Sequence, residues 1–246
     1  MKYIGHLDMM RYFQKQTRRA GIDVSFTEGM SPHMSMSYAF PLGVGMTSDS
    51  EYVDVDLSGE YTTCELIRRL NETAAEGIHF LDARRIGITK AEKGMTLVAA
   101  AEYTLTFREG HAWDDGWRDD FAEWLEKSEI LVMKKGKKGE KQVNIRPAIF
   151  RYEIDPPAKL ISGTDPEGEF WDEEEAVRNG DLRLLLSAGE KSNVRPELVM
   201  GAFAADTGRE YSNLTFLINR DEVMADRGTD SEQQLTALIE LGDIIA

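Results

Sequence analysis

Short runs in which apolar and polar residues alternate are separated by stretches of helical periodicity, and the order of these two patterns is the strongest signal in the chain. KYIGHL has the form of a strand's tail, and Asp8 stands as an N-cap before MMRYFQKQTRRAG. There Met9, Tyr12, Phe13 and Gln16 fall at helical spacing until Gly21. IDVSF is a short strand, MSMSYAF alternates, and EYVDVDL alternates more cleanly. TTCELIRRLNETAAEG puts Cys64, Ile67, Leu70 and Ala74 on one helical face, and FLDARRIGI supplies a further strand.

The second half repeats the order. AEYTLTF alternates, and DDGWRDDFAEWLEKS is an amphipathic helix with Trp117, Phe121, Trp124 and Leu125 on its apolar side. ILVMKKGKKGEKQVNIRPAIF forms a hairpin pattern around basic residues and glycines, and LRLLLSAG is a buried strand. Pro196 occupies the first turn of a helix in VRPELVMGAFAAD, and SNLTFLINRDEV is a strand. The tail SEQQLTALIELGDII is apolar at helical spacing and predicts a last helix that packs on the fold or meets a partner.

Each half thus follows β-α-β-β-α-β. The expected fold class is α+β, with two tandem ferredoxin-like units carrying antiparallel sheets. The first spans residues 1–92, and the second, with the basic hairpin and the C-terminal helix, spans 98–246; the boundary falls near KAEKGM. One mixed-sheet α+β domain is the alternative. A length of 246 residues suits two cores, since a typical domain takes roughly 100–150 residues.

Composition narrows the class. Hydrophobic residues at 41% and charged residues at 30% describe a folded protein rather than a disordered one. No apolar run approaches the roughly 18 residues of a membrane span, and no basic-then-apolar leader is evident, so the expected location is cytoplasmic, with no membrane partner. The single cysteine, Cys64, excludes an internal disulfide and an iron–sulfur cluster held by this chain alone. It lies at a helix start, where a thiol can be activated, but no base adjoins it, which favours a structural role.

The formal charge of −15 opposes a general nucleic-acid coat. The average conceals an asymmetry. MKKGKKGEKQVNIRPAIFRY carries seven lysines and arginines, whereas TDPEGEFWDEEEAVRNGD is a run of acids with one arginine.

The stretch GHLDMMRYFQKQTRRAGIDVSFTEGMSPHMSMSYAFPLGVGMTSDSEYVDVDL resembles the signature of the bacterial radical SAM-linked protein family, a domain of unknown function. Members of that family occur alone or fused behind a B12-binding radical SAM protein, with genes near those for ribonuclease G and ribosomal proteins. The resemblance implies a radical SAM protein as partner and supplies no catalytic residue.

Two groups of residues are candidates for binding. His6, Arg11, Arg19 and His33 are expected near the strand–helix corners of the first unit. One reading makes them a pocket for an anion such as an RNA phosphate, with a histidine able to transfer a proton near neutral pH. The other has His33 closed into a hydrogen-bonded turn, His6 packed beside Asp8, and the arginines solvated or paired to Asp23 and Glu28. A metal site of His6, Asp8 and His33 lacks a third good ligand, and neither metal nor cofactor is expected. The second group is the basic hairpin, with Lys134, Lys135, Lys137, Lys138 and Lys141 around glycines. Arg146 and Arg151 then alternate along a strand near Phe150 and Tyr152. Cations that follow a backbone beside rings that stack bases suit an RNA-binding sheet face. Lysines at a hairpin tip also discourage edge pairing, which is the alternative. Met30, Met34, Met36 and Met46 are expected to fill a core, and His79 and His111 to be structural or exposed.

No Walker loop, GxGxxG, GxSxG, HExxH or CxxxCxxC is present in the sequence. The leading expectation is an RNA-binding accessory or substrate-presenting protein for a radical SAM system acting on ribosomal or transfer RNA. The alternatives are a module that docks a radical SAM enzyme through its acidic segment and C-terminal helix, and an RNA-processing or RNA-modifying enzyme using His6 and His33.

Overall fold

The computed structural model describes residues 3–136, 139–157, 159–164, 170–178, 180–229 and 232–246; for 135–136, 159–164 and 170–178 it describes the backbone path alone. The chain is a mixed α+β protein. Its first part runs α1 (His6–Arg19), β1 (Met36–Tyr38), β2 (Thr47–Ser48), β3 (Val53–Val55), α2 (Thr63–Glu72), β4 (Arg84–Arg85) and the single turn α3 (Gly94–Leu97).

Helix α1 starts earlier than its sequence suggests. The amides of Asp8 and Met9 both donate to the Gly5 carbonyl at 3.0 Å, so His6 is the first helical residue and not the end of a strand. Asp8 lies in the first turn, where the helix dipole favours a carboxylate, and pairs with Arg11; it does not cap the helix. The helix ends at Ala20, and Gly21 takes a φ of +64° that a side chain would strain. Helix α2 is capped by Thr62, whose hydroxyl accepts the Glu65 amide. Gln16, fully buried, ties the two helices by donating to the Leu70 carbonyl at 2.6 Å and the Thr73 hydroxyl at 2.8 Å. Ala20, Ile22, Val24, Met34 and Leu66 form a small core beneath them.

The second part runs β5 (Val98–Phe107), α4 (Trp117–Leu125), a hairpin of β6 (Leu131–Gly136) and β7 (Gly139–Asn144), β8 (Ile149–Ile154), a hairpin of β9 (Lys159–Thr164) and β10 (Phe170–Arg178), β11 (Leu182–Ser187), α5 (Pro196–Thr207) and β12 (Phe216–Asp226). It closes with β13 (Leu235–Ala237), a 3-10 turn and β14 (Asp243–Ile244). The main sheet has the order β13-β12-β5-β11-β8, all antiparallel, with β2 added parallel to β12. One face is apolar: Tyr103 and Leu105 of β5 and Leu182, Leu184 and Leu186 of β11 pack on α4 and α5. Trp117, Phe121, Trp124 and Phe203 interlock there, with Phe121 and Phe203 edge to face at 5.0 Å.

The first part does not pair as one closed four-stranded sheet. β1 pairs with β3, β2 joins β12, β4 pairs with β14, and IDVSF contributes isolated bridges from Val24 and Phe26. These strands are two or three residues long, too short to set a register by their own ladders. The expected C-terminal helix is also replaced, by β13, the 3-10 turn and β14. Leu238 enters the large core and Ile245 packs on the small one, so tertiary burial overrides a helical spacing of apolar residues.

What holds the short strands is a polar seam along β12. Thr47 and Ser48 lie opposite Asn219 and Arg220, and the Asp49 amide donates to the Arg220 carbonyl at 3.0 Å. The Thr47 hydroxyl donates to Asn219 at 2.7 Å, Asn219 donates to Asp49 at 2.7 Å, and the Tyr52 hydroxyl donates to Glu222 at 2.7 Å. At the centre Arg220, 2% exposed, grips Glu51: Nε donates to Oε1 at 2.9 Å and Nη2 to Oε2 at 2.6 Å. The guanidinium also donates to the Phe40 carbonyl at 2.5 Å and lies 4.9 Å over the Phe40 ring. The register against β5 shifts between Arg220 and Glu222. This bulge turns Asp221 to accept from Thr104 at 2.5 Å and Asn219 at 2.7 Å.

Removing one partner of a buried ion pair strands the other, at about 3–5 kcal/mol, whereas replacing both with apolar residues is often near neutral. Glu51→Leu, which strands the Arg220 guanidinium (side chain 2% exposed, against 28% for Glu51), is therefore expected to lower unfolding stability by an amount in that range, and Arg220→Met with Glu51→Leu to recover most of it, as read by urea denaturation. Equal losses in the single and double variants would show that the pair is not coupled.

Candidate functional site

The seam leaves a wide cleft beside it, of ≈ 1810 Å³. Its apolar wall comes from the inner sides of the two N-terminal helices, with Met9 and Phe13 from α1 and Leu66 and Leu70 from α2. Five consecutive residues, Val53–Leu57, also line it. Side chains alternate along a strand, so a wall containing every residue of this run includes the strand's edge as well as a face. Phe13 stacks edge-on against Tyr38 and against Phe80, each at 5.9 Å, and His6 lies 5.0 Å from the Tyr38 ring.

Electrostatically the cleft is acidic. Ten carboxylate side chains line it against four from lysine and arginine, a balance unsuited to a polyanion. Asp54 is half-buried, and burial pushes its pKa up despite the Gly94 amide donating to it at 2.9 Å and the nearby Lys93. Tyr38 is buried with no partner for its hydroxyl, and desolvation together with the Glu51 carboxylate raises its pKa. Tyr52 is raised in the same way by burial and by Glu222. Among the described residues no group of three or more His, Cys, Asp or Glu side chains is placed to hold a metal ion.

The first predicted group is not gathered into one pocket. His6 faces the cleft on Tyr38, whereas His33 is closed into a turn, its Nδ1 3.1 Å from the Thr27 hydroxyl and its amide donating to that same oxygen. Arg11 pairs with Asp8 at 2.9 Å, and Arg19 donates to Gln16 at 2.7 Å beside the Tyr12 ring. No hydrogen bond, ion pair or ring contact joins any two of these four among the described residues. The cause is the early start of α1: it turns His6 towards β1, while Arg11 and Arg19 meet partners on their own helix.

In the second group the arginines are engaged. Arg146 sits in a 3-10 turn rather than along a strand, donating to the Leu125 carbonyl at 2.7 Å and the Ile149 carbonyl at 3.1 Å. Arg151 lies on β8 and pairs with the buried Glu102 at 2.8 Å. Lys134 donates to the Asn193 carbonyl at 2.7 Å, and Lys141 is exposed on β7. Lys137, Lys138 and the Lys135 side chain lie outside the described residues.

Sequence reasoning missed the run Asn219–Glu222. A strand whose apolar alternation is broken by four consecutive polar residues, yet which lies in a core, must find a partner for each of them. That break was the available signal. The engaged and free cations should also separate by stability: Arg146→Ala is expected to cost about 1–3 kcal/mol by orphaning two carbonyls, and Lys141→Ala within about 0.5 kcal/mol of nothing. Chemical denaturation of both variants reads the difference, and equal effects would contradict the assignment.

Among the described residues no helix is long and apolar enough to cross a membrane. No curated protein and no solved structure matches the chain. A family described as an uncharacterized protein conserved in bacteria, DUF2344, matches residues 1–196, from the first residue to the start of α5. The match covers most of the sequence, so the chain belongs to the DUF2344 family of uncharacterized bacterial proteins.

Proposed function

We propose that this chain is a docking protein that seats part of a protein partner in its acidic cleft, and that the partner is a radical SAM enzyme, the class implied by the resemblance of residues 5–57. The observation that carries the reading is the cleft itself: ≈ 1810 Å³, walled by apolar helix faces and by ten carboxylates against four basic side chains. Small-molecule sites occupy roughly 300–1,000 Å³, so a space of this size suits a polypeptide segment better. The fold reading that accompanies it treats the path from β5 to β12, with strand order β12-β5-β11-β8, as a ferredoxin-like unit on whose edge strand the N-terminal part is clasped.

RNA binding is the second reading, favoured by the exposed Lys141 and by Lys134 on the β6–β7 hairpin. It places the contact outside the cleft. It is supported less well, because Arg146 and Arg151 already serve internal partners.

Co-purification with a radical SAM enzyme from the same genome tests the first reading. The wild-type chain is expected to hold the enzyme, and Asp56→Lys with Glu60→Lys to weaken the complex at least tenfold in the same assay. A complex indifferent to that reversal would overturn cleft docking. RNA affinity that falls steeply with salt and is lost on Lys134→Glu with Lys141→Glu would favour the second reading instead.

A further inference from the structure

We infer that the cleft accepts its partner as an extended, alternating basic and apolar strand that adds to the free edge of β3; this deepens the docking reading and rests on it. Three observations converge on the same wall. In the ladder with β1, the Tyr52 carbonyl accepts from the Ala39 amide and the Asp56 amide donates to the Ser35 carbonyl, each at 3.0 Å. Backbone groups alternate between edges in an antiparallel strand, so the amides and carbonyls of Val53 and Val55 turn away from β1. Among the described residues β3 has no second ladder, and its consecutive residues line the cleft. An added strand would satisfy those groups, the recognition mode in which main-chain bonds give affinity and alternate side chains give specificity.

The side chains specify the class of strand. Asp54, which accepts the Gly94 amide, and Asp56, just past β3, which accepts from Ser35 and lies 3.7 Å from Lys93, fall on one face of the strand, and Glu60 also lines the cleft. A segment with lysine or arginine at every second position would place cations opposite these carboxylates. Its intervening apolar residues would meet Met9, Phe13 and Leu70.

The test uses the full chain and a fluorescein-labelled octapeptide of alternating lysine and valine, followed by anisotropy. Two further peptides carry N-methyl groups on the odd or on the even amides. Strand addition predicts saturable binding of the parent and at least a tenfold loss for one methylated peptide. The other methylated peptide, whose modified amides face away from β3, is expected to bind much as the parent does. Asp56→Asn with Glu60→Gln should weaken the parent at least threefold, and a glutamate–valine octapeptide should not bind. Equal binding of both methylated peptides, or of the glutamate peptide, would overturn the inference. Absence of peptide binding beside a radical SAM complex that still depends on Asp56 and Glu60 would overturn strand addition while leaving cleft docking in place. Loss of both would end both. A concentration-dependent dimer displaced by the peptide would make a second copy of this chain the occupant, and would overturn the assignment to a different partner.

Discussion

A buried guanidinium needs its hydrogen bonds completed, and in this protein Arg220 completes them with a carboxylate from far along the chain. Its charge loses water on folding, a cost that a single carboxylate offsets only with good geometry and further acceptors. Glu51 supplies a two-oxygen grip and Phe40 adds a carbonyl and a ring face. Those partners lie either side of the Gly43–Gly45 turn, so satisfying one arginine fixes the path of the whole segment from Phe40 to Tyr52. The bulge at Asp221 is part of the same solution. It lets Arg220 face Glu51 while Asp221 binds Thr104 and Asn219 on the neighbouring strand.

The cleft is a geometric consequence. With β2 drawn to β12 and β1 committed to β3, the N-terminal helices are held together by Gln16 but cover no continuous sheet. Part of their apolar sides, with Met9, Phe13 and Leu70, therefore lines the cleft along with the unpaired edge of β3, while Leu66 and Ile67 stay buried. Part of the sequence's net charge of −15 lies here, since ten carboxylates line this wall against four basic side chains. The arginines of the hairpin region are spent on the Leu125 and Ile149 carbonyls and on Glu102. Charge counted along the sequence does not separate a cation that is free to meet a ligand from one that completes the fold.

Legibility followed element length. β5, α4, β11, α5 and β12 were readable because each carries enough periodic positions for burial to select one face, as with Trp117, Phe121, Trp124 and Leu125 of α4. Pro196 marked the start of α5, and Gly208, at a φ of +72°, ends it. The first part was legible in its helices and only partly in its strands, since three-residue strands take their partners from side-chain contacts that no local pattern encodes. The tail misled for a related reason: Leu238 and Ile245 have helical spacing but serve two different cores. Of the candidate site, His6 lines the cleft. Its separation from His33 depends on where α1 begins, which rests on Gly5 accepting two amides and not on any capping side chain.

Hydrogen exchange by mass spectrometry on the wild type and on Arg220→Met tests most directly whether the seam holds the N-terminal strands to the rest. Residues 36–57 are expected to exchange at least tenfold faster in the variant, with β5 and β11 retaining their protection. Unchanged exchange across 36–57, or an equal loss of protection throughout the main sheet, would contradict the account.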